Sequence, residues 1–422
     1  MHRLLPAVLG LALASSPHTA STAEGPPNIV IYFVDDLGYG DLSCYGSRTV
    51  TTPNLDRMAS EGLRCTDFYV SAPVCTSSRA SLITGLTPER VGLTGALTHK
   101  SKKGLHEDYD TIGEVCRSRG YATAMIGKWH LGHQPSFLPI EHGFDLFFGI
   151  PYSHNMPLAD DLLLSTGVTR GRVKGGGNAP LMHQGEVIEA PPDYTQMTKR
   201  YTEEALRFID ANSKRPFLLY IAPNMPHSPV SSSERFAGKS KEGPYADAVL
   251  ELDWSVGEIL LGLKKAKLDR RTMVFFASDN GPDESGGSAG PLRGGKHTLW
   301  EGGIRVPAIF WWPGGIPPGE TAQILSTLDI MPTLASIVGA LPPKTDGIDI
   351  TPALTGRERG AQLRDGLAWR GRAARSGPWK LVIEGDRPHL YDLSRDIGEL
   401  VDLAGSEPAQ VAKLQALVKA NR

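Results

Sequence analysis

The sequence has few cysteines, almost no net charge and no apolar run of membrane-spanning length. Four cysteines in 422 residues are too few for a disulfide framework, which excludes a small cross-linked scaffold. Lys and Arg total 44 against 46 Asp and Glu, so the net charge is -2. Such a chain has no overall positive field to hold nucleic acid or an anionic membrane, and any recognition of anions must be local.

The longest apolar run stands at the N-terminus. His2 and Arg3 precede apolar residues 4–14, and small residues follow. The run is shorter than the roughly 18 to 20 residues that cross a bilayer, and this order is typical of a secretory signal peptide. We therefore expect a signal peptide over residues 1–23 and a mature protein from Glu24, exported to the periplasm or the extracellular space.

Short, almost wholly apolar runs alternate with helical patterns from residue 28 onward. This alternation predicts an α/β fold with a large, mostly parallel sheet sandwiched by helices. The predicted strands are residues 29–34, 122–126, 217–221, 273–277 and 308–312. The predicted helices are residues 53–61 after an N-cap at Thr52, then 111–118, 201–211 and 246–263.

Length alone predicts two or three domains at about 150 residues each. We expect a larger catalytic domain over 24–355 and a C-terminal α+β subdomain over 356–422, with a small antiparallel sheet and a terminal helix. The tract 156–193 contains Gly-Gly-Gly and several prolines but little periodicity. It is expected to be a long surface excursion over the sheet edge, of the kind that often forms a lid.

Polar residues follow four of the predicted strands. In an open parallel sheet the ligand site lies beyond the carboxyl ends of the strands. The residues at these ends are Asp35, Asp36, Lys128, His130, His227, Asp279 and Asn280. The sequence therefore predicts a site that combines carboxylates, an amide oxygen, a cation and two imidazoles.

Adjacent Asp35 and Asp36 would repel each other at a buried edge unless a cation lay between them. Together with Asp279 and Asn280 they form a set of hard oxygen ligands, which favours a calcium ion. Alone, the Asp-Asp-Leu-Gly sequence is more simply a turn with a helix cap. Because Asp279 and Asn280 follow a second strand and add two more oxygen ligands, a metal site is the favoured interpretation.

Three cations and a cysteine complete the candidate site. Arg79, Lys128 and Lys296 supply the positive groups that a tetrahedral oxyanion needs, and glycines before Lys296 permit close approach of the backbone to a ligand. His227, on a proline-rich loop, is a candidate general acid, with a structural role left open. Cys75 stands just before a short helix whose N-terminus favours a negative ligand, although it would also serve as a small buried hydrophobe.

The segment 73–85, PVCTSSRASLITG, resembles the signature of the sulfatase family, within the alkaline-phosphatase-like superfamily. In that family the cysteine is oxidised to Cα-formylglycine, whose hydrated aldehyde is the nucleophile. The resemblance covers nearly the whole mature chain, with the motifs in the family's order. It implies that Cys75 is the modified residue and that Arg79 holds it. The implied calcium ligands are Asp35, Asp36, Asp279, Asn280 and the modified Cys75.

The resemblance also implies roles for the remaining residues. Lys128, His227 and Lys296 would grip the sulfate and protonate the leaving oxygen, and His130 would help to collapse the hemiacetal. In GIPYSH, Ser153 is similar to a serine in the site of the arylsulfatase A and N-acetylgalactosamine-6-sulfatase branch.

The implied function is hydrolysis of a sulfate ester, by preference a sulfated carbohydrate, with one calcium ion and Cα-formylglycine as cofactors. The implied partners are that ester and a formylglycine-generating maturation enzyme, without nucleic acid or membrane. The chain departs from the family's Cys-x-Pro-x-Arg core at Ser77. We therefore expect inefficient conversion of Cys75, or conversion by a different maturation system, because proline restricts the local backbone.

Two other functions stay open. The same scaffold suits phosphate or phosphonate esters, although a two-zinc phosphatase would need more His and Asp ligands than this oxygen-rich set offers. A non-catalytic protein that binds sulfated glycans would follow if Cys75 were not matured. The basic run at 99–103 is interpreted as a solvated loop, with contact to a polyanionic substrate as the alternative.

Overall fold

A large mixed sheet lies at the centre of the computed structural model, which describes residues 25–160, 162, 177–284, 286–356 and 362–420. The predicted signal peptide lies outside the described residues. The strands of the protein are β1 (Asn28–Val34), β2 (Leu63–Cys65), β3 (Phe68–Tyr69), β4 (Ala122–Lys128), β5 (Leu146–Ile150), β6 (Leu181–His183), β7 (Glu186–Glu189), β8 (Phe217–Ala222), β9 (Thr272–Ser278), β10 (Ala308–Trp311), β11 (Gly319–Thr321), β12 (Leu325–Ser326), β13 (Leu367–Trp369), β14 (Ala373–Ser376), β15 (Trp379–Glu384) and β16 (Arg387–Asp392).

Helices cover both faces of this sheet. They are α1 (Pro53–Glu61), α2 (Cys75–Thr84), α3 (Pro88–Val91), α4 (Ile112–Ser118), α5 (Met197–Ala211), α6 (Pro244–Lys265), α7 (Glu301–Ile304), α8 (Ile330–Val338), α9 (Thr351–Thr355) and α10 (Pro408–Ala420). Short 3-10 helices lie at Tyr39–Asp41, Ser43–Tyr45, Pro135–Phe137, Pro139–His142, Tyr194–Gln196, Asp269–Arg271 and Thr327–Asp329. No helix in the described ranges is long and apolar enough to span a bilayer.

The main sheet is parallel at its centre and mixed toward its edges. Its order is β11-β2-β10-β9-β1-β8-β4-β5-β6-β7, and the five central strands β9, β1, β8, β4 and β5 run parallel to one another. The predicted α/β class, with a large sheet between helices and a smaller C-terminal antiparallel sheet, is confirmed. The strand predicted over 308–312 is β10, but it runs antiparallel to β9 and β2.

The tract 156–193 differs in part from the prediction. Residues 161 and 163–176 lie outside the described residues, but the end of the tract forms β6 and β7. These strands continue the main sheet as an antiparallel hairpin beside β5. The surface excursion predicted for the whole tract is therefore wrong for this part, because backbone pairing with a sheet edge does not require hydrophobic periodicity in the sequence.

Strand β1 explains why the central strands have continuous apolar sequences. Ile29, Ile31 and Phe33 pack into the core on one face of the sheet, whereas the alternate residues of the strand pack into the core on the other face. All seven residues of β1 are buried. Because side chains alternate across a strand, burial on both faces requires an apolar residue at nearly every position.

The helix starts illustrate how local sequence defines the elements. Thr111, predicted as the first residue of a helix, is the N-cap of α4, since its hydroxyl accepts from Glu114 N and the Glu114 carboxylate accepts from Thr111 N. Thr52 occupies the N-cap position of α1 but makes no capping hydrogen bond with its side chain. Its hydroxyl accepts from Ser43 N at 3.0 Å instead, so Thr52 ties the preceding loop to the helix.

The C-terminal sheet of β13 to β16 is antiparallel throughout, and α10 packs on it through Leu414 and Val418. A buried charged group joins this sheet to the main body. Lys380 Nζ lies 2.8 Å from Glu301 Oε1 and 3.6 Å from Glu399 Oε1, and Glu399 accepts from Glu301 N at 2.8 Å. The domain boundary at residues 355/356 stays a prediction.

We expect the substitution Lys380→Met to lower the free energy of unfolding by about 3 kcal/mol, because it removes the buried cation that lies between the carboxylates of Glu301 and Glu399. Urea unfolding followed by circular dichroism measures this difference. The matched control is Lys199→Met, since Lys199 is exposed and lies 3.8 Å from Glu203. The control should cost less than about 1 kcal/mol. If both substitutions lowered the free energy of unfolding equally, the buried contacts of Lys380 with Glu301 and Glu399 would not stabilise the fold more than an exposed pair does.

Candidate active site

The carboxyl ends of four adjacent parallel strands bring the predicted site residues together. Asp35 and Asp36 follow β1, Asp279 and Asn280 follow β9, Lys128 ends β4, and His227 lies five residues beyond β8. The main chain at Asp36 has a φ of 63°, in the left-handed region. This conformation, which costs an aspartate less than most residues, turns the chain sharply after β1.

Arg79 links two of the carboxylates. Its guanidinium donates from Nε to Asp279 Oδ2 at 3.0 Å, lies 3.5 Å from Asp35 Oδ1, and donates to the main-chain oxygen of Lys128 at 3.1 Å. Cys75 is the first residue of α2, and Arg79 is four residues later, so both lie on the same face of the helix. One helix therefore delivers both the cysteine and the cation to the acidic strand ends.

Two lysines neutralise the remaining carboxylate charge. Lys128 Nζ lies 2.6 Å from Asp35 Oδ2 and donates to Ser153 Oγ at 3.1 Å. Lys296 Nζ lies 2.6 Å from Asp36 Oδ2. Ser153 is buried beside Lys128, as expected for a residue of the site.

The three aspartates differ in their ionisation. Burial alone would raise the pKa of Asp35, but the charges of Lys128, His227 and Arg79 hold it well below its ordinary value. Burial and the charge of Asp35 raise the pKa of Asp36 to about 6.

Asp279 is the third member of this acidic group. Burial raises the pKa of Asp279 to about 7, with Arg79 opposing the rise and the charges of Asp35 and Asp36 adding to it. The three cations therefore do not fully offset the effect of burial on the pKa of Asp36 and Asp279.

The donor atoms of this group fit a metal ion. One carboxylate oxygen each of Asp35, Asp36 and Asp279 lies within 4.8 Å of the others and of Cys75 Sγ. Asp35 Oδ1 and Asn280 Oδ1 are buried without a hydrogen-bond partner. Buried oxygens without partners are costly, and an oxygen-rich set of this kind suits a hard cation such as calcium.

Cys75 is unsuited to react as a thiol. It is buried, and burial raises its pKa far above neutral, with Lys128 opposing this effect and the charge of Asp279 adding to it. The thiolate is the nucleophilic form of cysteine, so the unmodified side chain is inert here. Any reaction at this position requires a different functional group on the same backbone.

His227 and His130 present different nitrogens to the site. His227 Nδ1 lies 2.5 Å from Ser228 O, and its Nε2 lies 3.6 Å from Asp36 Oδ2. Burial lowers the pKa of His227 to about 4, against the opposing charge of Asp35. His130 Nε2 lies 2.9 Å from Leu97 O and its Nδ1 is buried without a partner, so Nδ1 is a free proton acceptor.

Sequence reasoning missed Thr76 and underestimated His154. The Thr76 hydroxyl donates to His130 O at 3.0 Å and accepts from Leu97 N at 3.0 Å, which holds the loop that positions His130. The His154 ring is buried with its centroid 5.4 Å from that of His227. Both residues lie within the motifs quoted above, but neither a hydroxyl nor a second imidazole indicates by itself that the residue supports its neighbours.

The basic run at 99–103 begins two residues after Leu97, at the rim of the site. Lys100, Lys102 and Lys103 are exposed, and Lys103 Nζ lies 3.5 Å from Gly92 O. The four cysteines form no disulfide bond.

We expect Arg79→Lys to lower the free energy of unfolding by about 2 kcal/mol, because lysine retains the charge but not the fork that joins Asp279 to Lys128 O. Urea unfolding in EDTA measures the change. Arg207→Lys is the control, since Arg207 is exposed and pairs with Glu204 on the same helix turn. If Arg79→Lys were as stable as the wild type, the positive charge alone would stabilise this site, and the hydrogen bonds of the guanidinium would contribute nothing measurable.

Comparisons with known proteins agree with this geometry. The model of the family described as Sulfatase matches residues 27–340. The chain is 40% identical to human arylsulfatase A over 467 residues, covering 98% of this chain and 91% of the relative. It is 40% identical to the N-acetylgalactosamine-6-sulfatase of Canis lupus familiaris, covering 82% of this chain and 69% of the relative.

A solved structure is also similar. The crystal structure of Ps i-CgsB in complex with k-i-k-neocarrahexaose superposes with a TM-score of 0.82 and 30% sequence identity, covering 94% of this chain and 93% of that chain.

Proposed function

Since the chain belongs to the sulfatase family, we propose that it is a sulfatase that releases inorganic sulfate from a sulfated carbohydrate at this site, with one calcium ion and a Cα-formylglycine derived from Cys75. The observation that carries the proposal is the group formed by Cys75 Sγ and one oxygen each of Asp35, Asp36 and Asp279, all within 4.8 Å of one another. Three cations surround this group, as an anionic substrate requires.

The residues at this site fit both the calcium ion and the formylglycine. Asp35, Asp36, Asp279 and Asn280 would hold the calcium ion, and position 75 would carry the formylglycine at the start of α2. When bound, calcium neutralises charge on the sulfate oxygens, and the hydrated formylglycine supplies a hydroxyl nucleophile.

The chain's own side chains bind and orient the sulfate. An ammonium has three hydrogens to donate, so Lys128, which donates to Asp35 and Ser153, and Lys296, which donates to Asp36, each retain at least one for a sulfate oxygen. Arg79 fixes the carboxylates through its planar guanidinium. Such donors, held in a buried environment before the substrate arrives, stabilise developing charge without reorganisation.

Proton transfer would use the two imidazoles. His227 Nδ1 is held by Ser228 O, which leaves Nε2 on the site side to protonate the departing alcohol oxygen. His130 Nε2 is held by Leu97 O, which leaves Nδ1 as the base that accepts a proton from the nucleophilic position. Since each ring donates one N–H to a main-chain oxygen, its other nitrogen is an acid only when the ring is protonated, as proposed for His227 beside Asp36, and a base when the ring is neutral, as proposed for His130.

Ser77 bears on how Cys75 matures. Ser77 is buried in the first turn of α2, with a hydroxyl that has no hydrogen-bond partner. A first-turn position accommodates proline as well, because its N–H has no partner within the helix. The folded structure therefore gives no reason for serine here, and the proposed maturation enzyme must accept serine in the extended chain.

A carbohydrate ester is supported by two relatives. N-acetylgalactosamine-6-sulfatase is named for a sugar sulfate, and Ps i-CgsB was crystallised with k-i-k-neocarrahexaose. Hydrolysis of a phosphate or phosphonate ester is less well supported, because the donor set offers one hard-cation site rather than a pair of zinc sites. Parallel rates on an aryl sulfate and an aryl phosphate compare the two activities.

We expect Cys75→Ala to abolish sulfate release without loss of the fold, because alanine cannot be converted to an aldehyde. Release of inorganic sulfate from an aryl sulfate measures activity, and peptide mass spectrometry of the wild type should detect aldehyde oxygen in place of sulfur at position 75. Cys116→Ala, at another buried free cysteine, is the control and should retain activity. Full activity in Cys75→Ala, or an unmodified thiol in active enzyme, would contradict the proposal.

We expect calcium to stabilise the wild type by about 2.7 kcal/mol when its concentration is 100 times its dissociation constant. Thermal unfolding of EDTA-treated protein, with and without added calcium, measures this effect. The substitution Asp36→Asn should remove most of it, whereas Asp210→Asn, at the exposed end of α5, should leave it intact. Calcium-independent stability and turnover of the treated wild type would exclude the proposed metal site.

A further inference from the structure

The buried centre of the site reaches solvent past two side chains. His227 is 7% exposed and the side chain of Lys296 is 8% exposed, whereas Cys75 is 2% exposed and Asp35 is fully buried. The sulfate of a substrate must lie in the buried centre, beside Cys75. The remainder of the substrate must therefore project outward past His227 and Lys296.

A cavity of about 550 Å³ lies beside Lys296, one of these two side chains. Lys296 forms part of its wall, together with residues 282–284 that follow β9 and residues 294–298. Lys296 N donates to Pro282 O at 2.8 Å, which fixes the two walls relative to each other. A Cβ at Gly295 would lie 2.6 Å from the same oxygen, so only glycine permits this approach.

The charges on the cavity wall differ from those of the buried centre. Asp283 and Glu284 both line the cavity, whereas the ammonium of Lys296 is already paired with Asp36 at 2.6 Å. Asp283 also adjoins the loop of the candidate general acid, since Ser228 Oγ donates to Asp283 Oδ2 at 3.4 Å. The negative wall therefore begins next to the position of the departing alcohol oxygen.

We propose that this cavity receives the leaving group of the sulfate ester, and that Asp283 and Glu284 select leaving groups without a further anionic substituent. The preferred leaving group is a neutral or amino-bearing polyhydroxyl molecule. Carboxylates accept hydrogen bonds from hydroxyl and ammonium groups, but they repel a second sulfate or a carboxylate. This inference rests on the proposed function and adds a substrate class to it.

The experiment compares three aryl sulfates that differ only in one meta substituent: hydroxymethyl, aminomethyl or carboxymethyl. The methylene group insulates the ring, so the three phenol leaving groups remain similar in acidity. The measured quantity is kcat/KM for release of inorganic sulfate by matured wild-type enzyme at low ionic strength. We expect the carboxymethyl ester to react roughly tenfold more slowly than the hydroxymethyl ester, because like charges repel, and added salt to reduce the difference.

The double variant Asp283→Asn, Glu284→Gln should bring the carboxymethyl and hydroxymethyl esters to within about twofold of each other and remove any preference for the aminomethyl ester. Asn retains an oxygen that can accept from Ser228. The single variant Glu284→Gln, at an exposed side chain, should change the ratio of kcat/KM between the hydroxymethyl and carboxymethyl esters in the same direction, but by less. The control is Asp210→Asn, Asp269→Asn, which removes the same charge ahead of β8 and β9, at the opposite edge of the sheet.

The control should keep the wild-type ratio, because its charges lie far from the cavity. Equal rates of the wild type on all three esters, or an unchanged ratio in both cavity variants, would overturn this inference and leave the sulfatase function intact. Absence of sulfate release from every ester by matured wild type would overturn the proposed function as well. The two failures are therefore distinguishable.

Discussion

Burial of three aspartates at one edge of a parallel sheet is the constraint on which the rest of this structure depends. Asp35, Asp36 and Asp279 lose hydration there, and the structure compensates with cations from three separate elements. Removal of charge from water costs several kcal/mol per ion unless partners replace the solvent. The fold around the site is therefore organised to hold Arg79, Lys128 and Lys296 in place.

The C-terminal sheet contributes to this arrangement through the segment that carries Lys296. At one end of the segment, Arg293 donates to Glu399 O at 2.9 Å and stacks on Trp300. At the other end, Glu301 N donates to the Glu399 carboxylate, which also lies beside Lys380. Glu399, in the segment after β16, thereby fixes both ends of a loop whose middle enters the candidate site. The role of the C-terminal sheet and this segment is support for the catalytic edge, although they supply none of the predicted site residues.

Much of the site was predictable because parallel strands with buried faces are recognisable from apolar runs. The rule that ligands bind beyond the carboxyl ends of such strands then selects Asp35, Lys128 and Asp279 without any knowledge of the fold. Arg79 and Cys75 were candidates from their charge and their position at a helix start, but the role of Cys75 as the modified residue required the resemblance to the sulfatase motif. Thr76 and His154 were not predictable as supports, because their importance lies in contacts with Leu97 and His227 that only folding creates.

The sequence by itself determined the elements and the residues at their ends, because periodicity, capping and glycine or proline positions act within a few residues. Only the tertiary structure decided the antiparallel direction of β10, the pairing of the β6 and β7 hairpin with β5, and the meeting of Asp283 with Lys296 around one cavity. These features depend on contacts between segments that are distant along the chain. Local patterns do not specify such partners, since many edges and loops satisfy the same backbone hydrogen bonds.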